Sequence, residues 1–327
     1  MGLPSAFRAE RQPFLYRTSD TQIKMKKLFL YAFIALVAAS FQPLAAQNKV
    51  RKEINLQLYS VRDLLGKTHN TTEKADPAYT ALLKDLAKMG YTGVETASYG
   101  DRKIYGRTPA QFKKDIEAAG MKVISTHTTR GLSDAELATG KPSAETMKWW
   151  DDCIADHKTA GCKYIVAPWM NVPKTLKDLD TWCAYYNEIG KRCKAQGMLF
   201  GYHNHNHEFQ KVEGQVMYDY MLQHTDPAYV FFEMDVYWVI RGGAAPVDYF
   251  NKYPGRFKLF HIKDEREIGQ SGMVGFDAIF NNAKTAGMQH FVVEVERYSE
   301  PVNVLKSVKE SIDYLLNAPF VKASYSK

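Results

Sequence analysis

Five times along this chain a helical stretch that ends on Gly runs straight into a β-branched or aromatic run, and no other feature restricts the fold so strongly. The junctions are Ala87-Lys-Met-Gly90 before Tyr-Thr-Gly-Val-Glu, Ala118-Ala-Gly120 before Met-Lys-Val-Ile-Ser, and Ala160-Gly161 before Cys-Lys-Tyr-Ile-Val. Two more are Ala195-Gln-Gly197 before Met-Leu-Phe-Gly-Tyr and Ala286-Gly287 before Met-Gln-His-Phe-Val-Val. Glycine takes the left-handed conformation that closes a helix. The apolar run that follows each one reads as a buried strand.

Three further strands are expected at Ile54 to Tyr59, Val230 to Asp235 and Phe257 to Ile262, the last two entered through Asp226-Pro227 and Pro254-Gly255. That makes eight. The segments between them carry helical periodicity, as in Thr108-Pro-Ala-Gln-Phe-Lys-Lys-Asp-Ile-Glu-Ala-Ala119, where a Thr cap and a first-turn Pro precede an amphipathic face. Alternating strands and helices of this number predict a single (β/α)8 TIM barrel, α/β in class, over residues 47–327. A doubly wound open sheet alternates in the same way, but its Gly-rich turn after the first strand is replaced here by Ser60-Val-Arg-Asp-Leu-Leu. No G-x-G-x-x-G or P-loop pattern occurs, which argues against a nucleotide cofactor.

Residues 1–46 are set apart from the barrel. Lys26 and Lys27 precede an apolar run from Leu28 to Ala39, then Phe41-Gln-Pro-Leu-Ala-Ala46, the pattern of a secretory signal peptide spanning 25–46 behind an upstream extension. The run is too short to span a bilayer and no Cys marks a lipid site, so export to the periplasm or beyond is expected, with no stable membrane anchor. Without residues 1–46 the formal charge falls from +7 to +3, 37 Lys/Arg against 34 Asp/Glu. No Lys/Arg cluster interleaved with aromatics remains, which argues against a nucleic-acid partner. Cys153, Cys162, Cys183 and Cys193 lack C-x-x-C spacing. Cys183 and Cys193 lie about 15 Å apart by helical rise, too far to pair with each other, and all four are expected as buried thiols.

Four short runs place His or carboxylate groups just after a strand: Tyr202-His-Asn-His-Asn-His-Glu208, Glu233-Met-Asp235, His261-Ile-Lys-Asp264 and Glu294-Val-Glu296. Imidazole and carboxylate suit a divalent ion such as Mn, Co, Zn or Mg, and barrel enzymes build their sites at these strand ends. Asp235, His261 and Glu294 are expected as ligands of one such ion, with Glu208 as the fourth. Alternation along a strand puts His203 with His205, Glu233 with Asp235, and Glu294 with Glu296 on shared faces.

The same four runs make the chain resemble the xylose isomerase-like TIM-barrel superfamily, which includes sugar isomerases, ketose 3-epimerases, inosose dehydratases and the AP endonuclease family 2 barrels. The resemblance covers residues 53–316. It implies Glu or a His-rich motif after strand five, Asp after strand six, His after strand seven and Glu after strand eight. This chain departs at strand five, where His203 stands in place of the epimerases' Glu, so His203 competes with Glu208 as ligand, and Glu296 competes with Glu294. The resemblance implies an enediolate: a divalent ion holds two adjacent sugar oxygens while a carboxylate removes the proton beside the carbonyl.

Glu294, Glu208, His203 and Lys263 are thus the candidate catalytic groups, with His205, His127, Trp238, Trp169 and Glu296 for substrate binding. Tyr99 and Tyr237 are further candidates for the pocket wall, while Trp149 and Trp150 are assigned to helix packing and Lys263 has a rim ion pair with Asp264 or Glu265 as its plain alternative. Export and the lack of a phosphate cradle favour an unphosphorylated sugar. The leading expectation is a metal-dependent isomerase or epimerase. Its rivals are a lyase or hydratase acting on 3-keto sugars or 3-keto glycosides, and a non-catalytic sugar-binding barrel. The zinc endonucleases of the superfamily are disfavoured by the missing basic groove. Pairing into a homodimer is left open.

Overall fold

Eight parallel strands close into a barrel in the computed structural model, which describes residues 51–66 and 76–326. The signal-peptide expectation for 25–46 lies outside the described residues. The strands are β1 (Asn55–Gln57), β2 (Gly93–Thr96), β3 (Lys122–His127), β4 (Tyr164–Ala167), β5 (Leu199–His203), β6 (Val230–Asp235), β7 (Phe257–Lys263) and β8 (His290–Glu294). Each pairs with its neighbours in sequence, and β8 closes on β1 through Asn55 opposite Val292. The expected α/β barrel is therefore what the chain forms.

Each of the five expected glycine stops is a left-handed residue, with φ of 117°, 86°, 91°, 76° and 84° at Gly90, Gly120, Gly161, Gly197 and Gly287. A side chain at these angles would be strained, so glycine is what lets the helix end and the chain turn into the next strand. The helix Pro109–Ala118 begins as read, with Thr108 accepting from the Gln111 backbone and Gln111 reaching back in a capping box. The helix jacket is built on aromatic packing: Trp150 is fully buried on Ala144–Ala160 and meets Tyr185 and Phe200. All four cysteines are buried free thiols.

Inside the barrel the floor is apolar. Tyr164, Val166, Phe231 and Leu259 pack together from β4, β6 and β7. Gly201 on β5 makes room for them, since a Cβ there would stand 2.5 Å from the Phe231 ring. Two residues further along the same strands the interior becomes ionisable.

Candidate active site

Above the floor lies a layer built from Glu95 of β2, Ser125 and His127 of β3, His203 of β5, Glu233 of β6 and His261 of β7, all buried. Glu95 is its anchor. It accepts from Gln57 Nε2 at 2.7 Å, from Ser125 Oγ at 2.5 Å and from His261 Nε2 at 2.6 Å, with His127 Nε2 at 3.2 Å. Glu233 Oε2 takes His127 Nε2 at 2.6 Å and has His203 Nδ1 and His261 Nε2 at 3.3 and 3.4 Å. The His127 and His261 rings stack at 4.8 Å. Burial pushes the Glu233 carboxyl up, while the imidazole charges beside Glu95 outweigh its burial and hold it below the usual range.

The next layer faces the C-terminal mouth and carries Asp235, Lys263, Glu294 and Glu296. The ligand atoms of Asp235, His261 and Glu294 lie within 4.8 Å of one another. Asp235 Oδ1 is held by the Trp238 backbone N–H at 2.8 Å, which caps the short helix Val236–Arg241 and fixes the carboxyl plane. Its Oδ2 and the Nδ1 of His261 are buried with no hydrogen-bond partner. Unpartnered buried polar atoms are costly, and here two of them belong to one three-residue group. Because Glu95 takes the Nε2 proton of His261, Nδ1 is turned toward that group. Against the ring's burial, the carboxylates around it favour its protonated form, so a cation bound there would displace the Nδ1 proton. The outer carboxylate is the arrangement that orients metal-binding imidazoles. Burial also pushes Asp235 up to about 8 despite Lys263 nearby. A carboxyl kept neutral by burial is one that a bound cation would ionise.

Lys263 is not at the rim. It is buried, with Nζ 2.7 Å from Glu296 Oε2 and 3.4 Å from Glu294 Oε2, so the alternative pairing with Asp264 or Glu265 is not formed. Asp264 instead ties its own loop through the backbone of Glu265 and Gly269. Burial would raise Glu294, but Lys263 and His261 hold it well below the usual carboxylate range. A cavity of about 280 Å³ opens above, lined by His127, His203, His205, Glu294, Glu296 and Trp169 among others, with no Lys or Arg among the described residues of its wall. Burial keeps His205 down at about 4 and His203 well below its ordinary value, so both are neutral imidazoles at pH 7.

Glu208 stands apart from the Asp235, His261 and Glu294 group. It is fully buried, accepts from Tyr202 Oη at 2.6 Å and the His205 backbone at 2.8 Å, and groups with His205 and His207. Its carboxylate locks the loop after β5 and does not line the cavity, where His203 is the β5 side chain that does. Asn204 ties the same loop to β6, accepting from the Asp235 backbone at 3.1 Å. Trp238 packs beside His205 at 5.7 Å, with Lys263 Nζ 5.8 Å from its ring. Tyr99 turns away to Trp149 and Asp156, and Tyr237 hydrogen-bonds Glu265. Of the expected aromatic wall, Trp169 lines the cavity.

Sequence reasoning missed Glu95 and gave Glu233 no role. A signal existed for both: each is an acid inside an otherwise apolar run, a placement too costly to leave without partners.

A sequence model of the family described as xylose isomerase-like TIM barrel matches residues 83–318. An inosose dehydratase from Lacticaseibacillus casei is 22% identical over 278 residues, covering 75% of this chain and 83% of that one. A solved sugar phosphate isomerase/epimerase from Parabacteroides distasonis ATCC 8503 is 37% identical, with a TM-score of 0.74 over 83% of this chain and all of that one. The fold is also that of the IolI protein, solved with a zinc atom, at 13% identity and a TM-score of 0.59 over 84% of this chain and 100% of that one.

Proposed function

This chain belongs to the xylose isomerase-like TIM-barrel family, and from that premise we propose that it is an exported, divalent-metal-dependent isomerase or epimerase of an unphosphorylated sugar. The observation that carries the reading is the pair of orphaned buried atoms, Asp235 Oδ2 and His261 Nδ1, facing Glu294 in one group at the base of the cavity. Asp235, His261 and Glu294 would hold the ion. His203, which lines the cavity and whose Nδ1 lies 3.3 Å from Glu233 Oε2 without a hydrogen bond, is a better candidate to join them than Glu208, whose carboxylate is engaged by Tyr202 and the His205 backbone. Bound there, a divalent ion supplies Lewis-acid stabilisation of negative charge developing on a sugar oxygen.

The chain's own residues supply the rest. Glu296 lines the cavity beside Glu294 and is held by Lys263, so it is positioned to take the proton beside the substrate carbonyl. The Lys263 ammonium, buried against Glu294 and Glu296, lends positive charge where an enediolate oxygen would form. The neutral imidazoles of His203 and His205 can accept or return a proton on the opposite wall. An unphosphorylated substrate is favoured because, among the described residues, the cavity wall offers no Lys or Arg to a phosphate, and Lys263 behind it is already paired with Glu294 and Glu296.

A second reading is a lyase or hydratase acting on 3-keto sugars or 3-keto glycosides, favoured by the similarity to inosose dehydratases. There the same base removes the proton at C2, the C1–O bond to the aglycone breaks as a C1–C2 double bond forms, and the departing oxygen takes up a proton. Metal content of the purified chain, followed by incubation of metal-loaded and chelated samples with ketoses and 3-keto glycosides in deuterated water, tests both. Metal-dependent deuterium uptake without cleavage supports the isomerase or epimerase; aglycone release supports the lyase. Ligand binding with neither leaves a sugar-binding barrel, and failure to bind any divalent ion defeats the metal reading.

A further inference from the structure

We propose that a second groove beside the cavity binds a further ring of the substrate, the aglycone ring of a glycoside, so that the sugar handled in the cavity is part of a glycoside and not a free monosaccharide. This rests on the cavity being the reactive site, as argued above. The groove measures about 600 Å³ and lies between the segments that follow β3 and β4, at the same C-terminal mouth. Trp169 is a wall of both spaces. The cavity alone, at about 280 Å³, falls just short of the roughly 300–1,000 Å³ typical of small-ligand sites. Cavity and groove together fall within that span.

Trp169 is built as a platform. It is 49% exposed, an unusual state for so large an apolar side chain, yet it is pinned. Its indole Nε1 donates to Asn171 Oδ1 at 3.1 Å, and its ring leans on His207 at 4.2 Å and His205 at 5.0 Å. Those two histidines sit in the loop that Glu208 locks, and His207 Nε2 reaches Met170 O at 2.9 Å. The long hydrogen-bonded chain around Glu208 therefore fixes an exposed indole between two spaces. Across the groove Leu132 and Val172 present apolar surface, with Asp134 and Lys174 beside them. A flat apolar face flanked by charged groups suits a ring that stacks through its carbons and is hydrogen-bonded at its edge.

The test is calorimetric titration of the metal-loaded chain with methyl, phenyl and glucosyl glucosides, in either anomer, which lack the ketone and so bind without reacting. The phenyl and glucosyl compounds should bind about tenfold or more tighter than the methyl one, the scale of a filled apolar subsite. Equal gains would identify a ring recognised by stacking, and a gain for the glucosyl compound alone would identify a sugar aglycone. Ala138 is exposed on the short helix Asp134–Thr139 and lines the groove, so Ala138→Trp fills it without disturbing a buried contact, and the ratio should fall toward one. Affinities within about threefold of each other, absence of binding by the ring-bearing compounds, or a ratio that survives Ala138→Trp would overturn the proposal. If the ratio holds while no deuterium exchange is seen with any keto substrate, the groove stands and the reactive-site reading fails.

Discussion

Floor and mouth of the barrel interior are made by the same strands, four residues apart with one ionisable layer between them, and they could hardly differ more. On β6 the inward series runs Phe231, Glu233, Asp235, and on β7 it runs Leu259, His261, Lys263. The floor gains stability from burial of rings and alkyl chains. The layers above spend it, because five carboxylates, Glu95, Glu233, Asp235, Glu294 and Glu296, share the space with Lys263 and a few imidazoles. Height along a strand thus separates a region that holds the fold from one that carries the chemistry, and substitutions at the two heights should separate the two properties.

The largest effect is expected at the mouth. Asp235→Asn removes a proposed metal ligand whose Oδ2 has no hydrogen-bond partner, while the Oδ1 bond to the Trp238 backbone can be kept by the amide oxygen. Loss of several kcal/mol of charge stabilisation corresponds to a fall of about 10³-fold or more in kcat. The thermal midpoint of the metal-free protein should hold or rise. If activity survives and the fold is what fails, the division between the layers is wrong. Phe231→Ala is the reciprocal change. It should cost about 3–5 kcal/mol of stability, the usual range for a buried ring, measured by denaturant unfolding, while metal stoichiometry is unchanged.

Between these extremes sits the middle layer, and Glu95 sharpens the comparison there. It does not itself line the cavity, yet it takes the Nε2 proton of His261. If His261 is a ligand as proposed, Glu95→Gln should weaken metal affinity by about 10–100-fold, the usual result of losing an outer partner of a ligating histidine. Calorimetric titration of the metal-free protein measures this directly. An unchanged affinity would place Glu95 with the floor, as a purely structural group.

This layering explains what the sequence could disclose. The barrel was legible because glycine stops and β-branched runs act locally, and Gly90 through Gly287 all took the left-handed conformation those runs required. The convergence of Asp235, His261 and Glu294 was legible because Asp235 and Glu294 end their strands and His261 lies two residues before the end of its own, where alternation decides the direction of the side chain. Glu208 was not, because it sits five residues beyond His203 in a loop. Its direction depends on Tyr202 and the His205 backbone, contacts that no periodicity announces. Lys263 was half legible: its strand position was read, but its burial between Glu294 and Glu296 depends on the register of β7 against β8.

The smallest effect concerns a histidine outside the barrel interior, on the helix Ala144–Ala160. His157 is buried with no carboxylate bonded to it: Nδ1 faces the Cys153 carbonyl at 2.8 Å and Nε2 has no partner. Burial lowers its pKa from 6.5 to about 4. The unfolded chain therefore binds more protons than the folded one between those values, and stability contributed by the neutral ring is lost as pH falls from 6.5 toward 4. Glu267 adds a separate acid loss only lower down. Against the upward push of burial, hydrogen bonds from Ser299 and Ser307 hold it to about 2 from 4.5. The interval from pH 6.5 to 4.5 is therefore the window in which to look for His157. In thermal melts across it, His157→Phe should lose less stability on acidification than the parent, by a few degrees in the midpoint. Equal slopes would mean that His157 takes up its proton in the folded chain as readily as in the unfolded one, as it would if water reached Nε2, and the contrast with the carboxylate-paired imidazoles of the barrel would fail at that residue.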